Sequence, residues 1–216
     1  MPLNSATICG MSVIATFLPQ SHVGITPIEM PSTIRTRLFP PVIANVASVG
    51  MSGAIAQRAN ETTKALGGKV SYALATLTVF ARWRVGEVNV SVDGESRAGH
   101  MHDVIVANGV WHGGGMKLAP DAAPDDGQFD VVLIGDVSKA DFLTTAPKIY
   151  KGKHVHHPKV EVLRSKRVEV DAPVQLPIEV EGEQVGTTPA AFEAVAGALR
   201  VKVPKPPAAS AASASS

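Results

Sequence analysis

Apolar residues recur at every second position through much of this chain, and that period dictates strands. Val88, Val90 and Val92 alternate with Glu87, Asn89 and Ser91, and Asp93-Gly94 follows as a turn. A period of two puts successive side chains on opposite faces, so one face of each run must be covered by other apolar groups. His102 to Asn108 and Gln128 to Ile134 read as further strands, and Val42-Ile43-Ala44-Asn45-Val46-Ala47 as a short buried one. The alternation returns at Val160 and Val162, Val168 and Val170, Ile178 and Val180, Phe192 and Ala194, and Leu199, Val201 and Val203. Short strands at this spacing predict a mainly β (α+β) fold: an antiparallel β-sandwich with two or three covering helices.

The helices are legible from a different period. Ile55, Ala59, Thr62 and Leu66 mark one over Ser52 to Leu66, with Gly67-Gly68 as its C-cap. Val70, Leu74, Leu77 and Ala81 give the apolar face of a second, ending near Trp83. A third is expected from Ser138 to Ile149, with Ser138 as N-cap, Asp141 three positions on, and Pro147 disturbing the last turn.

Residues 1–40 hold five prolines (Pro2, Pro19, Pro27, Pro31 and Pro40), with Pro41 directly after, and no sustained period, so a poorly ordered arm is expected there. Residues 41–204 form the expected sandwich domain, and the Pro-, Ala- and Ser-rich 205–216 a flexible tail. With 216 residues and a net charge of +1, without a basic stripe, no nucleic-acid partner is expected. No stretch is long and apolar enough to span a membrane. Ile8 to Leu18 lacks the basic flank and cleavage site of a signal peptide. The one cysteine, Cys9, permits no internal disulfide, which fits a reducing cytoplasm.

Several motifs stand in a specific order. Asn108-Gly109 precedes Gly113-Gly114-Gly115-Met116-Lys117-Leu118-Ala119-Pro120-Asp121, then Asp125-Asp126-Gly127-Gln128-Phe129-Asp130. Tyr150-Lys151-Gly152-Lys153-His154 and Glu181-Gly182-Glu183 come later. Upstream, Leu66-Gly67-Gly68-Lys69-Val70-Ser71-Tyr72 is similar to a Leu-Gly-Gly-Arg-Leu-Ser-Tyr segment. In order and spacing the chain, from about Asn45 to Val203, resembles the C-terminal half of the diacylglycerol kinase and sphingosine kinase family, in its YegS-like bacterial branch. Members join an α/β nucleotide lobe to a β-sandwich lobe. The Gly-Gly-Asp-Gly-Thr loop that cradles ATP phosphates in the first lobe is not in this sequence.

The resemblance implies the site residues. Glu183 matches the proton acceptor of the family's Asp-Gly-Glu turn, with Glu181 in place of the Asp. It would take the proton of a lipid hydroxyl attacking the γ-phosphate of ATP, a reaction governed by positioning and charge neutralisation. A Mg2+ site is implied at the Asp126 carboxylate with the Ala123 and Gln128 carbonyls, since magnesium takes hard oxygen ligands and keeps several waters. His154-Val155-His156-His157 lacks a zinc spacing and reads as surface or cleft histidines, with His154 and His156 on one face of an extended segment.

The function implied is the substrate and catalytic-base lobe of an ATP-dependent lipid kinase, cytoplasmic and peripheral to a membrane. Its acceptor would be of diacylglycerol or sphingoid-base type, and it would be inactive without a nucleotide lobe. That lobe or a second copy of the chain are the protein partners this allows. The alternatives are a non-catalytic lipid- or partner-binding module, or a truncated gene product.

Overall fold

The computed structural model describes residues 5–17, 42–61 and 68–204. In chain order the elements are β1 (Ser5–Phe17), β2 (Val42–Ile43), β3 (Val46–Gly50), α1 (Met51–Glu61), α2 (Gly68–Arg82), β4 (Gly86–Val92), β5 (Glu95–Ala107), β6 (Trp111–His112) and β7 (Met116–Lys117). There follow β8 (Phe129–Gly135), α3 (Lys139–Thr145), two 3-10 turns (Ala146–Lys151 and Lys153–His156), β9 (Val160–Ser165), β10 (Arg167–Asp171), β11 (Pro177–Val180), β12 (Glu183–Thr187) and β13 (Ala190–Pro204).

The long strand β5 organises the sheet. Its first half pairs with β4, while its second half is flanked by β3 and β8. The main path runs β12-β11-β3-β5-β4-β10-β13-β1-β2, with β9 beyond β8, and its ladders are antiparallel. The sheet curls until Val88, Val90, Val168, Val170 and Phe192 meet Val49, Val104, Val106, Phe129, Val131 and Ile178 in one core. This is the expected antiparallel sandwich with three helices, and the alternating valines line its interior because period-two runs can bury only one face.

The second half of β5 and the start of β8 are buried on both faces. Behind them Val46, Ile105, Ala107 and Val132 form a second cluster with Leu118, Ala119 and Ala122 of the loop after β7. Gly50 turns β3 into α1 at φ +125°, and a Cβ there would lie 2.6 Å from the His102 carbonyl oxygen. Only glycine tolerates both conditions.

Ser138 caps α3, its hydroxyl accepting from Asp141 N, as the sequence predicts. Helical hydrogen bonding tightens into a 3-10 turn from Ala146, because Pro147 has no N–H to donate. The predicted Val42–Ala47 strand is interrupted at Ala44-Asn45, giving β2 and β3. Thr62 and Leu66 of the first predicted helix lie outside the described residues, as do residues 18–41 and 205–216.

Three expectations are corrected. Ser5–Phe17, read as irregular, forms β1 and pairs along β13, because the long edge of β13 offers a ladder whatever the sequence period. His154 and His156 lie in a 3-10 turn rather than an extended segment. On α2 the packed face is Ala75, Val79, Phe80 and Trp83, with Phe80 stacked on Phe142 of α3 at 4.0 Å between centroids. Leu74 and Leu77 therefore face outward, where the sequence placed them inward.

Phe129 is fully buried in the core, so Phe129→Ala is expected to lower unfolding free energy in urea by about 3–5 kcal/mol. Val174→Ser, at an exposed loop position, is expected to change it by less than about 0.5 kcal/mol.

Candidate active site

The junction between β2 and β3 gathers the motifs that are far apart in sequence. The Glu181 carboxylate oxygen Oε1 accepts the backbone N–H groups of Ala44 (2.9 Å), Asn45 (2.7 Å) and Val46 (3.3 Å). Glu181 N in turn donates to Val46 O at 3.1 Å. From the other side, the Asn45 carbonyl accepts Asn108 N (2.8 Å) and Gly109 N (3.0 Å), and Asn108 Nδ2 donates to Ala44 O (2.8 Å). Asn45 Nδ2 reaches Trp111 O at 2.8 Å. A Cβ at Gly109 would stand 2.3 Å from Asn45 Oδ1, so a larger residue there would push the Asn45 side chain aside.

Residues 181–183 form the tight turn between β11 and β12. Glu181 takes a left-handed φ of 53°, held by its carboxylate, and Gly182 follows at φ +89°. The Gly182 N–H donates to Glu179 Oε1, and Ser48 Oγ donates to Glu179 Oε2 at 2.8 Å. Glu179 is 2 % exposed, and His112 Nε2 lies 3.8 Å from its Oε1. Glu183, by contrast, is exposed, and among the described residues its side chain is held by Asn60 Nδ2 of α1, 3.0 Å from its Oε2. The turn backbone is thus clamped on both sides, while the Glu183 carboxylate is presented to solvent. The glutamate at 181 has a visible use: its Oε1 accepts three backbone N–H groups, the kind of contact that fixes a loop.

Asp103 lies on the same buried face as Ser48 and Glu179, at the start of α1. Its carboxylate accepts both the N–H (3.1 Å) and the hydroxyl of Ser52, satisfying a free donor of the first helical turn. Burial pushes the Asp103 carboxyl up to about 7; the Ser52 hydrogen bonds oppose the rise and the nearby Glu179 charge adds to it. Neither Asp103 nor Glu179 was a sequence candidate. The signals were there: Glu179 alternates with Ile178 and Val180, and Asp103 opens the run Val104 to Ala107. What sequence lacks is the knowledge that the opposite face is covered.

The Asp126 loop stands apart from this junction. Asp126 Oδ1 accepts Gln128 N at 3.0 Å, Asp126 N donates to Ala123 O at 3.3 Å, and Arg164 of β9 pairs with Oδ2. Burial pushes the Asp130 carboxyl up; Arg164 opposes the rise, and Asp126 and Asp121 add to it. The turn is closed by its own hydrogen bonds and its outer oxygen holds a guanidinium. As arranged, these residues do not fit a magnesium ion, which would have to displace Arg164. Among the described residues no group of three His, Cys, Asp or Glu side chains is placed to hold a metal. His154 is buried, its Nε2 bonded to Leu118 O at 3.1 Å, and burial lowers its pKa. It props the loop over the second core cluster. His156 is exposed.

Residues 45–203 match the YegS C-terminal NAD kinase beta sandwich-like domain, and the chain belongs to that family. It is 26% identical over 161 residues to the diacylglycerol kinase of Bacillus subtilis, covering 74% of this chain and 53% of that protein. It is 29% identical over 163 residues to that of Mycobacterium tuberculosis, covering 74% and 52%. The chain spans about half the length of these curated relatives. Two solved Bacillus anthracis structures described as diacylglycerol kinases superpose with TM-scores of 0.61 and 0.54, at 16% and 12% identity. They cover 90% of this chain and 56% and 53% of their own, and they establish the shared fold.

A proton held by Asp103 in the folded state but released by the unfolded chain stabilises the fold at low pH. Its contribution is complete below pH 3.8 and is lost as pH rises through about 7. Asp103→Asn is expected to remove that slope, so that the variant gains on wild type between pH 4 and pH 8, by up to about 4 kcal/mol, in urea melts at a series of pH values. Exchanging EDTA for Mg2+ is expected to leave the wild-type melting temperature unchanged. A magnesium-dependent rise would restore the ion to the Asp126 loop.

Proposed function

We propose that this chain supplies the lipid-side lobe of an ATP-dependent lipid kinase, with Glu183 as proton acceptor. The observation that carries the reading is the Glu181-Gly182-Glu183 turn within a domain of this family, clamped through Glu181 and Glu179 and presenting an exposed Glu183 carboxylate that accepts from Asn60. In this reading the acceptor is a hydroxyl-bearing lipid of diacylglycerol type at a membrane surface. ATP enters as Mg-ATP, bound on a nucleotide lobe, and the magnesium is assigned no ligand on this chain.

Glu183 removes the hydroxyl proton as the lipid oxygen bonds to the γ-phosphorus. The bond from that phosphorus to the β,γ-bridging oxygen breaks and ADP leaves. A carboxylate exposed in the isolated lobe becomes effective when a second lobe closes over it and excludes water. The clamp keeps the carboxylate in register, which matters because misplacement by about 1 Å can cost roughly 100-fold in rate.

The test is γ-phosphate transfer from Mg-ATP to diacylglycerol in mixed micelles, by the chain alone and with a nucleotide lobe from a relative supplied. Transfer is expected only with the lobe, and Glu183→Gln is expected to reduce it by about 100- to 10,000-fold. Unchanged transfer by the variant would refute the role of Glu183. No transfer with the lobe bound would favour a non-catalytic binding module.

A further inference from the structure

The glycine-rich hairpin β6–β7 is tied to the turn that carries Glu183. It is a ribbon of its own, pairing Trp111 with Lys117 and His112 with Met116, and it is separate from the main sheet. Gly113, Gly114 and Gly115 carry the chain around at φ +37°, +73° and +101°, three successive positive values that favour glycine. A Cβ at Gly114 or Gly115 would meet nothing within 4 Å, so the tip stands clear of the domain. The β6 end is held at two points. Trp111 O accepts Asn45 Nδ2 at 2.8 Å, and His112 Nε2 lies 3.8 Å from Glu179 Oε1. That second distance is too long for a hydrogen bond and suits a pair of charges. The His112 side chain keeps 14% of its surface exposed, enough to exchange protons with solvent.

Glu179 needs what His112 can supply. Its hydrogen bonds come from neutral donors, the Gly182 N–H on Oε1 and Ser48 Oγ on Oε2. A carboxylate withdrawn from water onto neutral donors alone keeps an unbalanced charge, which is costly. Among the described residues His112 is the one basic side chain within 4 Å of it. The other charged groups of the neighbourhood are Asp103 on β5, Glu181 in the turn and Lys117 on β7. The two acids cannot balance Glu179, and Lys117 Nζ stands over the Trp111 ring, 4.7 Å from its centroid. The oxygen of Glu179 that faces His112 is the same one that holds Gly182, the residue before Glu183. We infer that His112 is a positioning residue: when protonated it neutralises Glu179, and so locks the glycine-rich hairpin and the Glu181–Glu183 turn into one unit. The catalytic consequence rests on the reading of Glu183 as proton acceptor, while the lock itself is a property of this lobe and needs no turnover.

The experiment follows the Gly182 amide by 1H–15N NMR through a pH series, beside the His112 ring signals of the same sample. It is run in an Asp103→Asn background, because Asp103 is itself pushed up to about 7 and lies close to Glu179. The Gly182 shift is expected to inflect at the pH where the His112 ring titrates. That inflection is expected to vanish in His112→Phe and in Glu179→Gln. His112→Gln, uncharged throughout, is a second variant expected to behave as His112→Phe does, and urea melts check that each is folded. In the reconstituted transfer assay, with Asp103 intact, His112→Phe is expected to lower kcat about tenfold and to leave KM for Mg-ATP within about twofold. Added to Glu179→Gln it is expected to cost nothing more, because the charge it answers is gone. A Gly182 shift indifferent to the His112 titration, or the same further loss of kcat in the Glu179→Gln background, would overturn the inference. Absence of transfer by the wild-type lobe would count against Glu183 as base, and the Gly182 titration would still decide the lock.

Discussion

The carboxylate of Glu181 holds this site together. It gathers three consecutive backbone N–H groups from residues 44–46, groups left without ladder partners where the chain breaks between β2 and β3. The same segment receives Asn108 and Gly109 on its other side. Beyond the β3 ladders, that anchor ties the β11–β12 turn and the bend after β5 to the same three residues. A charged acceptor is suited to the task, because hydrogen bonds to ionised groups are about twice as strong as neutral ones. Glu179 secures the next residue, so the backbone leading to Glu183 is fixed while its side chain reaches outward.

Behind the turn, the sheet buries a polar layer that the core strands make expensive. Ser48, Asp103 and Glu179 share one face of β3, β5 and β11, beside an apolar cluster on the same face. Buried carboxylates are tolerated only where donors converge, and here Ser48, Ser52 and Gly182 supply them. The layer couples α1, which carries Asn60 toward Glu183, to the strand that carries the turn itself.

The strands were legible because Val88, Val90 and Val92 obey a period that only a half-buried strand satisfies, and the Ser138 cap and Pro147 disruption carry local physics. The packing of α2 was not. Leu74 and Leu77 carry the helical period of the sequence, but the helix turns Ala75 and Phe80 inward. The inward face is set by the partners it meets, Met51 and Ile55 of α1 and Phe142 of α3, which lie against Phe80. Likewise β1 has no pattern of its own and takes its register from β13. At the site, Glu181 and Glu183 were legible as a motif, but not their division of labour, which depends on which backbone donors lie across the sheet. Asp126 was read as a ligand from the resemblance, and nothing in sequence announces that Arg164, on a strand much later in the chain, comes to rest against it.

Amide hydrogen exchange at Ala44 and Asn45, followed by NMR in wild type and Glu181→Ala, tests the clamp most directly. Slow exchange in wild type that becomes fast in the variant, with Val104 and Val106 unaffected, is the predicted result. Fast exchange at those amides in wild type, or protection that survives in Glu181→Ala, would contradict the account.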